Sequence, residues 1–197
     1  MLSPAMKHIQ AALTIMLAAG LTGCMSFPGD YGKSYAPGLG CVIIGWGDQP
    51  NNFANRTSGV RFQGVGSDKT GAITFSHLAL EYLAAGKLFT DQDGHGVVAV
   101  RYLPPGQYEL HDPYITVVEG LLIRAFKPTN RVSIPFQVRA NECTYTGRFL
   151  LSPTKLEFLW ITRKETDLKL IQAEIPPNFS VADVLIPKPI ASMIVTK

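Results

Sequence analysis

From Leu39 onward the chain is a succession of short apolar runs, hydrophobic at alternate positions and bounded by Gly, Pro, Asn, Asp or Ser. Alternation with period 2 places successive side chains on opposite faces of an extended backbone, so these runs read as β-strands with a face turned to a core. The predicted strands are Cys41–Trp46, Val60–Val65, Ala72–Phe75, Val97–Leu103, Gln107–Val118 interrupted at Pro113, Leu121–Phe126, Ser133–Ala140 bent at Pro135, Cys143–Leu151 and Glu157–Thr162. Strands of this number and length point to an all-β fold, an antiparallel sandwich. Gly66 to Gly71 reads as a hairpin loop, and Leu103-Pro104-Pro105-Gly106 as a tight turn in which Pro presets φ and Gly is free to take φ > 0.

Of the 197 residues 46% are hydrophobic and 17% charged, against about a quarter charged in an average domain, which excludes a disordered tail or a solvated coiled coil. The net charge of +3 comes from 18 basic and 15 acidic residues without a run of like charge, so nothing tracks a phosphate backbone and nucleic acid is not expected as a partner. No apolar segment reaches the roughly 20 residues of a spanning helix. A transmembrane β-barrel is the rival all-β reading, and one-sided alternation with 14 prolines counts against it.

The first residues carry an address. Lys7 and His8 precede the apolar segment Ile9 to Ala19, which is followed by Gly20-Leu21-Thr22-Gly23-Cys24, the three regions of a secretory signal. Leu21-Thr22-Gly23-Cys24 resembles the lipobox of bacterial lipoproteins. The resemblance implies diacylglycerol on the Cys24 thiol, cleavage after Gly23 and acylation of the new amino terminus. In that family an Asp after the lipidated Cys retains the protein at the inner membrane, so Met25 implies the outer membrane, with the domain facing the periplasm. The alternative is an ordinary signal cut elsewhere, with Cys24 left as a thiol. The expected organisation is a signal peptide (1–23), a lipidated flexible tether (24–38), a sandwich (39–162), and a C-terminal helix with an edge strand (163–197).

In the C-terminal part, Thr162 with Glu165, or Thr166 directly, can cap a helix whose Leu168, Ile171 and Ile175 share a face and which Pro176-Pro177 ends. Val181–Ile186 and Ser192–Val195 are candidate edge strands. Ser76 to Gly86 is ambiguous, with a short helix His77–Ala85 capped by Ser76 as one reading. The stretch Val97 to Leu110, with Leu103-Pro104-Pro105-Gly106-Gln107-Tyr108 at its centre, resembles a strand-turn-strand of transthyretin-like and carboxypeptidase-regulatory-like sandwiches. So does Pro135-Phe136-Gln137-Val138 with Cys143 to Gly147. Together they resemble uncharacterised bacterial lipoproteins with a small sandwich and a short helix. This implies a fold and not a chemistry.

Catalytic patterns are sparse. His77, His95 and His111 stand without a nucleophile elbow, a paired-His metal motif or a phosphate loop. Asp91-Gln92-Asp93-Gly94-His95 invites a calcium or zinc reading, but in an EF-hand alignment Phe89 and Val100 fall at ligand positions, and a lone His makes no zinc site. The segment reads as a polar turn, and no metal or cofactor is expected. The chain is therefore read as a non-catalytic binding or structural lipoprotein with an envelope polymer or protein as its partner. The alternative is an enzyme whose site gathers scattered residues such as Asp93, His95 and His111.

Arginine recurs inside the strands, at Arg61, Arg101, Arg124, Arg139 and Arg148. In three of these strands parity puts the arginine outside: Arg61 with Gln63, Arg139 with Gln137, Arg148 with Thr144 and Thr146. Val60 and Phe62, Phe136 and Val138, and Tyr145 and Phe149 take the inner face. Two readings follow, a solvated face whose charges discourage edge-to-edge aggregation, or a cationic face for an anionic envelope polymer or headgroup. Finally, lipidation consumes Cys24 and leaves Cys41 and Cys143, an even pair in an oxidising compartment, for which a disulfide is expected.

Overall fold

The computed structural model describes residues 32–50, 56–77, 86–119, 122–127, 131–152 and 157–183. They form two packed β-sheets and one short helix, the all-β sandwich that the alternation predicts. The first sheet has the order β10 (Glu157–Ile161), β9 (Glu142–Ser152), β1 (Gly40–Asp48), β5 (Gly94–Leu103), β4 (Lys87–Asp91), with β11 (Ser180–Asp183) beside the first half of β9. The second has the order β3 (Thr70–His77), β2 (Arg56–Gly64), β6 (Gly106–Glu119), β7 (Leu122–Phe126), with β8 (Ser133–Val138) beside the first half of β6. Pairing is antiparallel except for β1 with β9 and β11 with β9, which are parallel, so the first sheet is mixed.

The two sheets explain two kinds of run. Along β8 buried and exposed residues alternate strictly, because only Ile134, Phe136 and Val138 turn inward and the other face meets solvent. In β1 and most of β5 every residue is buried. Val42, Ile44, Trp46, Val97 and Ala99 meet Val60, Phe62, Ile73, Phe75 and Leu110 between the sheets. Cys41, Ile43, Val98, Val100 and Tyr102 form a second core under the helix α1 (Lys164–Ile171), with Ile171, Leu168 and Ile175. A strand covered on both faces reads as a continuous apolar run. Each large apolar side chain so buried contributes roughly 1.5–3 kcal/mol relative to exposure.

Several expectations are corrected. Pro113 does not interrupt β6: the strand continues through a bulge at Asp112, φ 46°, where its register with β2 slips and its other edge passes from β8 to β7. A proline fits such a position because the ladder needs no N–H there. β4 was not legible, since Phe89 alone of its five residues is buried. Its connection to β5 is the polar turn expected at Asp91–His95, with the Asp93 N–H donating to Asp91 Oδ1 at 3.0 Å. Helix α1 begins at Lys164 after Arg163, and neither Thr162 nor Thr166 makes a capping bond. A short 3-10 turn, Gln172–Glu174, extends it toward Pro176-Pro177. Ser76 and His77 end β3, while residues 78–85 of the alternative helix lie outside the described residues. So do the expected signal peptide, Cys24, the last three residues of the first candidate edge strand and all of the second, Ser192–Val195. Of the segment expected as a tether, residues 32–38 are described: 33–38 are exposed, and the segment touches the sandwich where Gly32 C=O accepts from Tyr102 N–H at 2.6 Å and Tyr35 lies edge-on between Tyr102 and Phe179.

Candidate functional site

The outward residues of β2, β6 and β8 build one polar sheet face. Register sets Gln63 opposite Glu109 and Arg61 opposite His111 across β2 and β6, then His111 opposite Ser133 and Gln107 opposite Gln137 across β6 and β8. Glu109 is the hub. Its carboxylate accepts from Gln63 Nε2, from Arg131 Nη2 at 2.7 Å and from Ser133 Oγ at 2.5 Å. The Ser133 hydroxyl in first place, then Gln63 and Arg131, hold its pKa below the ordinary value although burial opposes them. At the bulge His111 Nδ1 lies 3.0 Å from Asp112 Oδ2, and Tyr114 covers Gly59, where any Cβ would collide with its ring. Arg131 and Arg139 have side chains 71% and 62% exposed, and Arg61 is exposed as well. Glu109, Asp112 and Glu142 stand beside them. The face is thus a balanced lattice of guanidinium, amide, hydroxyl and carboxylate groups, with donors and acceptors open to a polar partner.

A second cluster is buried where β1 ends and β2 begins. Arg56 Nε donates to Asp48 Oδ2 at 2.5 Å, Ser58 Oγ to Asp48 Oδ1 at 3.1 Å, and Trp46 Nε1 to Ser58 Oγ at 3.0 Å. Arg56 Nη2 meets His95 Nε2, and because a guanidinium only donates, that ring nitrogen is the acceptor. These bonds pin the first sheet to the second.

A third cluster fastens α1. Arg148, fully buried, donates from Nε at 2.7 Å and Nη2 at 2.5 Å to Asp167 Oδ1 and from Nη1 at 2.6 Å to Asp91 Oδ2, with its guanidinium carbon 3.9 Å above the Phe89 ring. Tyr145 donates to the other Asp167 oxygen at 2.7 Å, and Arg163 binds Asp93 through Nε and Nη2 at 2.6 and 3.0 Å. Burial, then the Asp167 charge, push the Tyr145 phenol well above its ordinary pKa. Burial alone would raise Asp91, but the bonds and charge of Arg148 and nearby backbone N–H groups hold it low. Gly45 leaves room for this arrangement, since a Cβ there would strike the Arg148 stem.

The structure therefore divides the predicted arginines. Arg61 and Arg139 stand on the solvated face, as parity requires. Arg148 does not: Gly147, φ 86°, bulges β9 so that Tyr145 and Arg148 face the helix while Phe149 faces the inter-sheet core. Arg101 is buried on β5 and donates to the Val100 carbonyl at 2.8 Å. Arg124 lies opposite Val117 in register, and its side chain is outside the described residues. The five form no common patch. Asp93, His95 and His111 are likewise apart, bound respectively to Arg163, Arg56 and Asp112 in the three separate clusters. Among the described residues no group of His, Cys, Asp or Glu is placed to hold a metal ion. Sequence reasoning missed Glu109, Arg131, Asp48, Arg56 and Asp167. Polar residues at inward strand positions were the available signal for Asp48 and Arg56.

Cys41 and Cys143 are register partners on β1 and β9, 4.3 Å apart at Cα, with sulfurs at bonding distance and both residues fully buried. No family model, no curated protein and no solved structure matches this chain.

Proposed function

We propose that this chain is a lipid-anchored lipoprotein of the bacterial envelope, held at the outer membrane by Cys24 with its sandwich in the periplasm, where it serves a non-catalytic binding or structural role. The observation that carries the reading is Leu21-Thr22-Gly23-Cys24 at the end of a secretory signal pattern. Several acyl chains, at about 0.8 kcal/mol per buried methylene, give an anchor far stronger than a single myristate. The paired Cys41 and Cys143 suit an oxidising compartment. The solvated face around Arg61, Glu109 and Arg131 is the surface offered to an envelope polymer or protein partner.

Expression of the full chain in a bacterium grown on labelled palmitate tests the anchor. The wild type should incorporate label, partition into detergent and appear in its processed size. Cys24→Ala should lose the label and remain unprocessed, because only the thiol forms the thioether. Wild-type protein that is unlabelled and soluble in the periplasm refutes the proposal.

A further inference from the structure

The tether meets the sandwich at one end. Gly32 is hydrogen-bonded to Tyr102, Tyr35 packs on Tyr102 and Phe179, and Leu39 C=O accepts from Asn141 N–H at 3.1 Å, just before β1 starts at Gly40 opposite Leu103. At the same end lie the β2–β3 turn (65–69), the β5–β6 turn (104–105) and the β8–β9 turn (139–141). The β2–β3 turn is built to present its tip. Gly64 N–H donates to Lys69 C=O at 2.8 Å, Ser67 N–H to Gly64 C=O at 3.2 Å and Val65 N–H to Gln107 C=O at 2.9 Å, with Gly66 at φ 73° supplying the left-handed residue. What this frame holds out is Val65, 65% exposed, the most exposed large hydrophobic side chain of the described residues. Tyr35, 46% exposed, stands at the same end, and so do Lys33, Lys69 and Arg139 beside Asp68 and Glu142.

Chain length decides what this end meets. Cys24 to Gly32 is eight residue steps, at most about 29 Å fully extended. The opposite end, with Asp48 and the β4–β5 turn, lies the length of β1 further on, nine residues or about 30 Å at 3.3 Å per residue. With the acyl chains in a bilayer, the tether end is always within one tether length of the headgroups, and the far end reaches them only if the whole domain tips over. From these observations we infer that the tether end, led by Val65 and Tyr35 and flanked by Lys33, Lys69 and Arg139, docks on the surface of the bilayer that holds the anchor. The apolar tips enter the headgroup region and the cations meet anionic lipid, as amphipathic interfacial contacts do. The rest of the polar face, around Arg61, Glu109 and Arg131, and the far end are thereby left toward the periplasm.

This docking rests on the lipid-anchor reading, and the test separates the two. The lipidated protein is reconstituted in phosphatidylethanolamine–phosphatidylglycerol vesicles with an environment-sensitive fluorophore at Val65→Cys or, at the far turn, at Gln92→Cys. Emission from position 65 should shift to the blue and be quenched by brominated lipid, while position 92 stays water-like. Adding Lys69→Glu with Arg139→Glu should weaken the position-65 quenching. Vesicle-bound protein with both positions water-like overturns the docking and leaves the anchor standing. A blue shift at position 65 that brominated lipid does not quench, and that grows with protein density, makes this end a contact between copies and overturns it too. Protein that does not float with the vesicles removes the anchor, and the docking with it.

Discussion

Replacing Arg148 by Met isolates the energetics of the helix clasp. Asp167 is fully buried, and its carboxylate receives two hydrogen bonds from Arg148 and one from Tyr145. Met fills the apolar part of the Arg volume over Phe89 but leaves Asp167 as a buried charge with one remaining donor. Breaking a buried pair in this way costs about 3–5 kcal/mol. For a domain of this size each kcal/mol moves Tm by about 2–4 °C, so Arg148→Met should melt roughly 6–20 °C lower. Asp91 adds little to the loss, because its side chain is 30% exposed and water replaces Arg148. The double variant Arg148→Met with Asp167→Leu removes both charges, and since apolar replacement of a buried pair is often neutral or stabilising, it should recover most of the loss. Urea unfolding of wild type, both single variants and the double, followed by tryptophan fluorescence, closes a double-mutant cycle. A coupling energy below about 1 kcal/mol, or a double variant as unstable as the worse single one, would refute the assignment of the clasp as a mutually dependent pair.

Two further outcomes follow. Cys41→Ser should lower stability by up to about 4.7 kcal/mol, the chain-entropy value for a loop of about 100 residues, and expose Cys143 to mixed disulfides; two free thiols in the denatured, non-reduced wild type would sink the bridge. Acid should unfold the domain from the carboxylate side: Glu109 and Asp91 have folded pKa values held below their ordinary ones, so their stabilisation is complete above the unfolded carboxylate range and is lost as pH falls through the folded values. Stability measured in urea should therefore be level above about pH 5 and decline below about pH 4, and Glu109→Gln should flatten that decline; an unchanged slope in Glu109→Gln would assign the acid lability to other groups.

Strand existence was legible because burial here is mostly one-sided or complete, and both leave a mark. Val60 and Phe62 against Arg61, and Phe136 and Val138 against Gln137 and Arg139, kept their parity and their faces. β4 left no mark because it touches the core through Phe89 alone. The cysteine pair was legible as an even pair of remaining thiols, although its parallel register between β1 and β9 was not, since nothing local in either strand specifies a partner about 100 residues away.

The failure at Arg148 has one physical cause, and it limits what parity can say about any arginine in a strand. Parity arguments carry a face forward by two residues at a time, and a single left-handed residue breaks the count. Gly147 supplies that break: at φ 86° it lets β9 hold Thr146 Oγ1 on the Ile43 carbonyl and then present Arg148, not Phe149, to the helix. An added Cβ at this position would also strike the Trp160 indole, which donates from Nε1 to the Thr146 carbonyl at 2.7 Å. A glycine inside a strand with polar neighbours is thus a place where a sequence reading has to allow both parities downstream. With the second parity allowed, Arg148 falls on the same side as Tyr145 and under the helix that carries Asp167. The arginine that looked most like a surface charge is then the one that a buried acid, four residues into α1, requires.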